Sequence, residues 1–249
     1  MHQFDCAPEN LSVDQVDEEL LHHGYLLLRS EKLVQLAERA RAEYIEVIEA
    51  TELHAGGDRF SYEDLCRETV WRKAAIGSRN GLGESYAQLL LTTYFAPNVQ
   101  KFHAISELFG IMLKLRNRLM RVPSDFGNDP VRDRFWNASR IHHYPRGGGF
   151  MMQHRDTHFP IALGDKPFYQ LGFLLSKKQR DFQTGGGFVL ERDSNKKIDI
   201  ETELGFGGLI VFDGKTYHGV DDVDGDRLLH LKSPQGRLAA FVNVYEYRP

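Results

Sequence analysis

Two histidines and an aspartate are the residues of this sequence best suited to hold a metal ion. His154 and Asp156 stand two apart in Met151-Met-Gln-His154-Arg-Asp156. If that stretch is a strand, both side chains project from one face, and an imidazole nitrogen can share an ion with a carboxylate oxygen. The pairing alone decides little, because a His-x-Asp arises about once by chance in a chain of this length. His218 adds weight, since it follows the apolar run Leu209-Ile-Val-Phe212 by a few residues and can face inward from the rim of a β-core. Two histidines and one carboxylate can occupy one face of an octahedral ferrous ion and leave three positions open, which is what oxygen activation requires. A lone histidine in such a place is otherwise a satisfied turn or core residue.

Arg237 opens the apolar run Arg-Leu-Ala-Ala-Phe-Val-Asn-Val. Its head can snorkel to water, or it can reach inward and grip a carboxylate with two parallel hydrogen bonds. Tyr144 precedes Pro145-Arg-Gly-Gly-Gly149, and His142 and Arg140 share its alternation. A polar, basic row on an inner face is unusual for a plain hydrophobic core.

These residues need a β-core to bring them together, and the second half of the chain reads as one. Short apolar runs at 138–144, 150–156, 169–175, 187–191, 209–212 and 238–247 alternate with glycine-rich turns, the pattern of a sandwich or barrel rather than of a parallel sheet. Before residue 123 the spacing is helical. Ser12 and Gln15 form a capping-box pattern ahead of Val13, Val16, Leu20 and Leu21, and Gly24 stands at the stop. Residues 25–28 read as a short buried strand. Ser30 can cap a second helix with Leu33, Leu36, Ala37, Ala40, Tyr44, Val47 and Ile48 on one stripe, and a third helix is expected from about Asn98 to Arg121. The polar stretch around Gly56-Gly57-Asp58 takes no assignment. No Pro/Ser-rich linker divides the chain, so the expectation is one α+β domain over 1–249. Residues 1–123 form its mainly helical flank and 124–249 its β-core.

At 249 residues the chain needs neither disulfide nor metal merely to fold. Its net charge of −4 lacks the basic excess typical of nucleic-acid binders. Cys6 and Cys66 have neither zinc-finger nor disulfide-framework spacing. The acidic first thirty residues do not resemble a secretory signal, and no apolar run approaches membrane-spanning length. The expected setting is the cytoplasm, without membrane or nucleic-acid partners; oligomeric state is not legible.

From about Arg140 to Tyr247 the chain resembles the Fe(II)- and 2-oxoglutarate-dependent oxygenases, whose fold is a double-stranded β-helix (a jelly roll, cupin-like). The shared elements run in order: Tyr144-Pro145, His154-Arg-Asp156, the apolar 171–175, Gly185-Gly186-Gly187-Phe-Val-Leu, His218-Gly-Val and Arg237-Leu-Ala-Ala-Phe-Val. Around 144–156 the likeness is to the small prolyl-hydroxylase-like members.

The resemblance implies Fe(II) on His154, Asp156 and His218, with 2-oxoglutarate and O2 as cosubstrates. Arg237 would hold the distal carboxylate, with Tyr144 hydrogen-bonding the cosubstrate. Many members place this arginine about ten residues after the distal histidine. Arg227, at nine, is therefore the alternative to Arg237, at nineteen. The implied reaction oxidises an unactivated C–H bond by hydroxylation, desaturation or cyclisation, releasing succinate and CO2. Asp156 argues against halogenation, because the related halogenases lack that carboxylate. Candidates to contact a polar small-molecule substrate are Trp136, Arg140, His142, Met152 and His158, several of which could instead merely support the iron ligands. Two other readings stay open: a silent binding or sensing module on the same fold, and a metal enzyme that does not use 2-oxoglutarate.

Overall fold

Residue parity along the strands divides this fold into a sealed side and a chemical side. The computed structural model describes residues 3–55, 60–79, 85–97, 99, 101–156 and 168–247. Its strands are β1 (Gln3–Asp5), β2 (Tyr25–Arg29), β3 (Leu53–His54), β4 (Val70–Arg79), β5 (Tyr86–Phe95), β6 (Phe135–Pro145), β7 (Gly149–His154), β8 (Tyr169–Leu174), β9 (Gly186–Leu190), β10 (Lys197–Asp199), β11 (Leu209–Asp213), β12 (His218–Val223) and β13 (Gly236–Glu246). They join in the order β1-β2-β11-β8-β13-β6-β5-β7-β12-β9-β10, with β3 and β4 extending from β5. All pairings but β1–β2 and β3–β4 are antiparallel. The ladder curls around one cavity to which β5, β6, β7, β8, β9, β11, β12 and β13 all contribute side chains. This is the mixed, largely antiparallel jelly-roll architecture expected from the sequence.

β13 sets the parity. It pairs with β6 over its whole length, from Gly236 opposite Pro145 to Glu246 opposite Phe135. Leu238, Ala240, Val242 and Val244 point outward with Leu171, Phe173, Leu209 and Val211 of neighbouring strands. On that face lie α1 (Val13–His22), α2 (Glu31–Ala50) and α4 (His103–Leu119), whose apolar stripes complete the main core. Arg237 and Phe241 of β13 turn inward, as do Gln170, Gly172 and Leu174 of β8.

The helices are fixed by local chemistry. Ser30 accepts from the Leu33 amide at the start of α2. Gly24 follows α1 at φ +81°, a left-handed position that a side chain would resist. Ser12 stands before α1, but its side chain makes no cap bond. A full capping box occurs instead at Ser61–Asp64, opening the short α3 (Tyr62–Glu68). The N-terminus of α4 has no cap of its own; Glu43 of α2 accepts from the Ala104 and Ile105 amides, both at 2.9 Å. Among the described residues no helix is long and apolar enough to cross a membrane.

The first half departs from its helical reading at β4 and β5. These ten-residue strands form a long antiparallel ladder, and β5 then pairs with both β6 and β7. The β-core therefore recruits chain well before residue 124. Residues 56–58, left unassigned from the sequence, lie outside the described residues.

Candidate metal centre

His154 and His218 meet because the β7–β12 ladder puts them directly opposite each other in register. Their rings are 4.3 Å apart between centroids. Asp156, just beyond the end of β7, brings its carboxylate to both. Its Oδ1 lies 3.7 Å from His154 Nε2, and its Oδ2 lies 3.7 Å from His218 Nε2. Ligand atoms of all three lie within 4.8 Å of one another, and His154 and Asp156 are buried.

The rings are already oriented for metal binding. His154 Nδ1 donates to the Met152 carbonyl at 2.9 Å, and His218 Nδ1 donates to the Thr216 carbonyl at 3.0 Å. Each bond places the proton on Nδ1 and leaves the Nε2 lone pair toward the shared space. The Tyr86 ring stacks on His154 at 3.9 Å, and Phe212 packs against His218 at 4.7 Å. Gln170 donates from Nε2 to Asp156 Oδ2, holding the carboxylate in place. With the Asn243 amide turned to satisfy its neighbours, Arg140 Nη2 donates to Asn243 and Asn243 donates to Gln170 Oε1. A line of polar groups therefore runs from a buried cation to the carboxylate. Two neutral imidazoles and one carboxylate, with space beyond them, are a donor set that fits Fe(II) with open positions.

The three residues open into a cavity enclosing about 860 Å3 of space, mouth included. Arg140, His142, Tyr144 and Arg237 line it. Arg237 sits opposite Tyr144 in the β13–β6 ladder, and its guanidinium lies 5.3 Å from the centre of the tyrosine ring. It is buried, and among the described residues its Nη1 has no hydrogen-bond partner. A cavity-lining arginine that keeps a buried nitrogen without an acceptor among the described residues fits a carboxylate arriving from outside. Arg227 is exposed and lies beside Asp226, away from that lining. Burial pushes the Tyr144 phenol well above its ordinary range, with Arg237 pulling the other way, so the hydroxyl stays a neutral donor. Arg140 is buried against Phe241 and Tyr245, and its Nε donates to His142 Nε2 at 2.9 Å.

Two of the expected substrate contacts fall elsewhere. Met152 is 55% exposed, and Met151 lines the cavity in its place. The cause is a bulge. His154 opposes His218 and Met151 opposes Val220, so three steps on β7 match two on β12. The extra residue reverses the alternation that strict strand spacing predicts. Trp136 is buried in an aromatic cluster with Tyr62 and Tyr245, outside the cavity lining. His158 lies outside the described residues.

Sequence reasoning missed Tyr86, Gln170, Glu201 and Asn243. The aromatic and β-branched run Tyr86-Ala-Gln-Leu-Leu-Leu-Thr-Thr-Tyr-Phe95 could have announced β5. Gln170 and Asn243 lay within expected strands, with no cue to their partners.

No sequence-family model matches the chain, and no curated protein matches it by sequence. Solved structures do match it by shape. A prolyl-4-hydroxylase from Pseudomonas putida superposes with a TM-score of 0.52 at 15% identity, covering 96% of this chain and 100% of its own. A prolyl hydroxylase from Trichoplax adhaerens, solved with a hypoxia inducible factor peptide fragment, gives 0.54 at 12% identity, with 94% and 89% covered. An oxidoreductase of the 2OG-Fe(II) oxygenase family from Burkholderia pseudomallei gives 0.52 at 13%, with 99% and 95% covered. The chain therefore has the fold of the 2-oxoglutarate-dependent iron oxygenases. A histidine–aspartate–histidine cluster stands inside it.

Proposed function

We propose that this chain is a single-domain Fe(II)- and 2-oxoglutarate-dependent oxygenase that oxidises an unactivated C–H bond of a polar small molecule. The observation that carries the reading is one cavity holding two features. Two Nε2-facing histidines converge with Asp156, and a buried arginine carries a nitrogen with no acceptor among the described residues.

In this reading His154, Asp156 and His218 hold the iron. Arg237 takes the distal carboxylate of 2-oxoglutarate, and Tyr144 donates its hydroxyl to the same cosubstrate. When bound, iron with 2-oxoglutarate would supply oxygen activation, O2 being the oxidant and the decarboxylation of 2-oxoglutarate to succinate and CO2 providing two of the four electrons it takes up, the substrate C–H the other two. The protein orients and shields. The Met152 and Thr216 carbonyls hold the imidazoles in one tautomer, Gln170 fixes the Asp156 carboxylate, and Phe188, Ile210, Phe212 and Val220 line the cavity with apolar surface.

One neighbour was solved with a peptide fragment, which makes a peptide side chain the competing substrate class. Arg140 and His142 on the cavity wall favour a small polar or anionic molecule. A cytoplasmic setting, without nucleic-acid or membrane partners, accords with the modest negative charge.

The test is anaerobic titration of the Fe(II)-loaded protein with 2-oxoglutarate, following the weak visible charge-transfer band of the chelate. The band is expected in the wild type, absent in His218→Ala, weakened in Arg237→Ala and unchanged in Arg227→Ala. Folded, iron-loaded protein that gives no band would refute the reading.

A further inference from the structure

The buried acid Glu201 has no part in the reading above, yet it touches the arginine on which that reading depends. It sits on the short helical turn α5 (Ile200–Glu203), which Asp199 caps through the Thr202 amide. Its side chain is 1% exposed. Oε1 accepts from Arg237 Nε at 2.5 Å, and Oε2 accepts from the Gly187 amide at 2.6 Å. Both oxygens are therefore committed, one to the arginine and one to the backbone of β9.

The surrounding backbone is shaped for this contact. A Cβ on Gly187 would collide with Arg237 Nη2, and a Cβ on Gly186 would lie 2.6 Å from Glu201 Oε2. Gly186 also has φ +119°, a conformation other residues rarely adopt. The glycine pair admits the acid and the arginine side by side.

We infer that Glu201 is a positioning residue for the cosubstrate: by holding Arg237 through Nε, it leaves the Nη1 side of the guanidinium to take the distal carboxylate of 2-oxoglutarate. The inference rests on the reading of this site as a 2-oxoglutarate oxygenase. Among the described residues Nη1 is a buried nitrogen without a partner, whereas Nε is already satisfied. A carboxylate that merely plugged the site would have to give up both its bonds when the cosubstrate arrived. Glu201 is instead tied to the main chain through Gly187. It also neutralises Arg237, so the cavity contains no uncompensated guanidinium there before ligand binds.

Two effects of removing Glu201 oppose each other, which makes the experiment decisive. Loss of its negative charge would by itself tighten binding of another carboxylate. Loss of the tether lets the guanidinium turn and weakens it. The dissociation constant of 2-oxoglutarate is measured anaerobically on the Fe(II)-loaded wild type, Glu201→Gln, Arg237→Lys and the double variant. In Glu201→Gln a single amide oxygen remains to accept from two donors, so either the Gly187 N–H bond or the Arg237 Nε bond is lost and the tether fails. Binding weakens about tenfold, while Fe(II) affinity stays at the wild-type value. In Arg237→Lys the further change Glu201→Gln alters binding less than twofold, because the acid acts only through the arginine.

If Glu201→Gln fails to fold, Glu201→Asp replaces it. That variant keeps the charge but is too short to span both partners, and it too weakens binding. Unchanged or tighter binding in the variant used, or an undiminished effect in the Arg237→Lys background, overturns the inference. A wild type that binds no 2-oxoglutarate overturns the oxygenase reading itself, which is a separate outcome.

Discussion

The two faces of β6, β8 and β13 belong to the same strands and differ only in residue parity. Outward, Leu238, Ala240, Val242, Val244, Leu171 and Phe173 meet three helices in a sealed apolar layer. Inward, Arg237, Arg140, His142 and Gln170 surround a cavity. The outer residues are fully buried and the inner ones largely so, with His142 half-buried, and burial does different work on the two sides. The outer face gains the transfer energy of apolar surface. The inner face sequesters charge and polarity that would weaken a core unless paired. Function and stability are thus interleaved residue by residue along single strands, and substitutions should separate them.

The largest separation should come from the histidines. His154→Ala and His218→Ala should each lose Fe(II) and at least about a thousandfold in turnover, the loss attached to removing a group on which the chemistry depends. Their melting temperatures should stay within a few degrees of wild type. Iron content and thermal melts check both halves, and a melting point that collapsed with the metal would erase the distinction between faces. Phe173→Ala, on the outer face, should do the reverse. Denaturant unfolding should register a loss of about 3–5 kcal/mol, while the protein that remains folded binds iron normally.

His143 is the outer-face exception that sharpens the contrast. It is fully buried and bonds the Gln235 carbonyl at 3.0 Å, and burial pulls its pKa down to about 4. The unfolded chain takes up that proton near the ordinary value of 6.5, before the folded one can. The stability His143 contributes by staying neutral is therefore complete above about pH 6.5 and is lost as pH falls toward 4. The loss is on the order of 3 kcal/mol. Urea midpoints across that window should fall in the wild type and flatten in His143→Phe. The smallest effect should come from Gln170→Leu, which removes the donor to Asp156 without removing a ligand. Fe(II) affinity should fall about 10–100-fold, as measured by competition with a chelator, with the fold intact.

The sequence made the motif-bearing half readable because its side chains carry period-two alternation and glycine turns. His154, Asp156, His218, Arg237 and Tyr144 could all be placed from spacing and resemblance. β4 and β5 were missed because their neighbours on both sides are amphipathic helices, and an apolar run such as Leu89-Leu-Leu91 fits either period. Met152 was misassigned because a bulge is a backbone event with no side-chain signature. Trp136 lies on β6, which begins three residues before the expected strand, and Tyr62 and Tyr245 draw its ring into a separate aromatic cluster. Glu201 was invisible for another reason: in Asp199-Ile-Glu-Thr-Glu203 it reads as one more solvent-facing acid, and only long-range packing buries it.

The bulge in β7 also bears on how such a site can be inherited. With the extra residue, Met152 and Gln153 both face solvent and His154 faces in. Deleting either of the two exposed residues would leave two steps on β7 against two on β12, so Met151 and His154 would keep their inward face by simple alternation and His154 would still oppose His218. Point substitution at Met152 or Gln153, and deletion of one of them, should therefore both leave iron binding in place. β7 can vary in length at this spot without moving the histidine, and a comparison that expects one fixed spacing along the strand would misjudge which residues face the cavity.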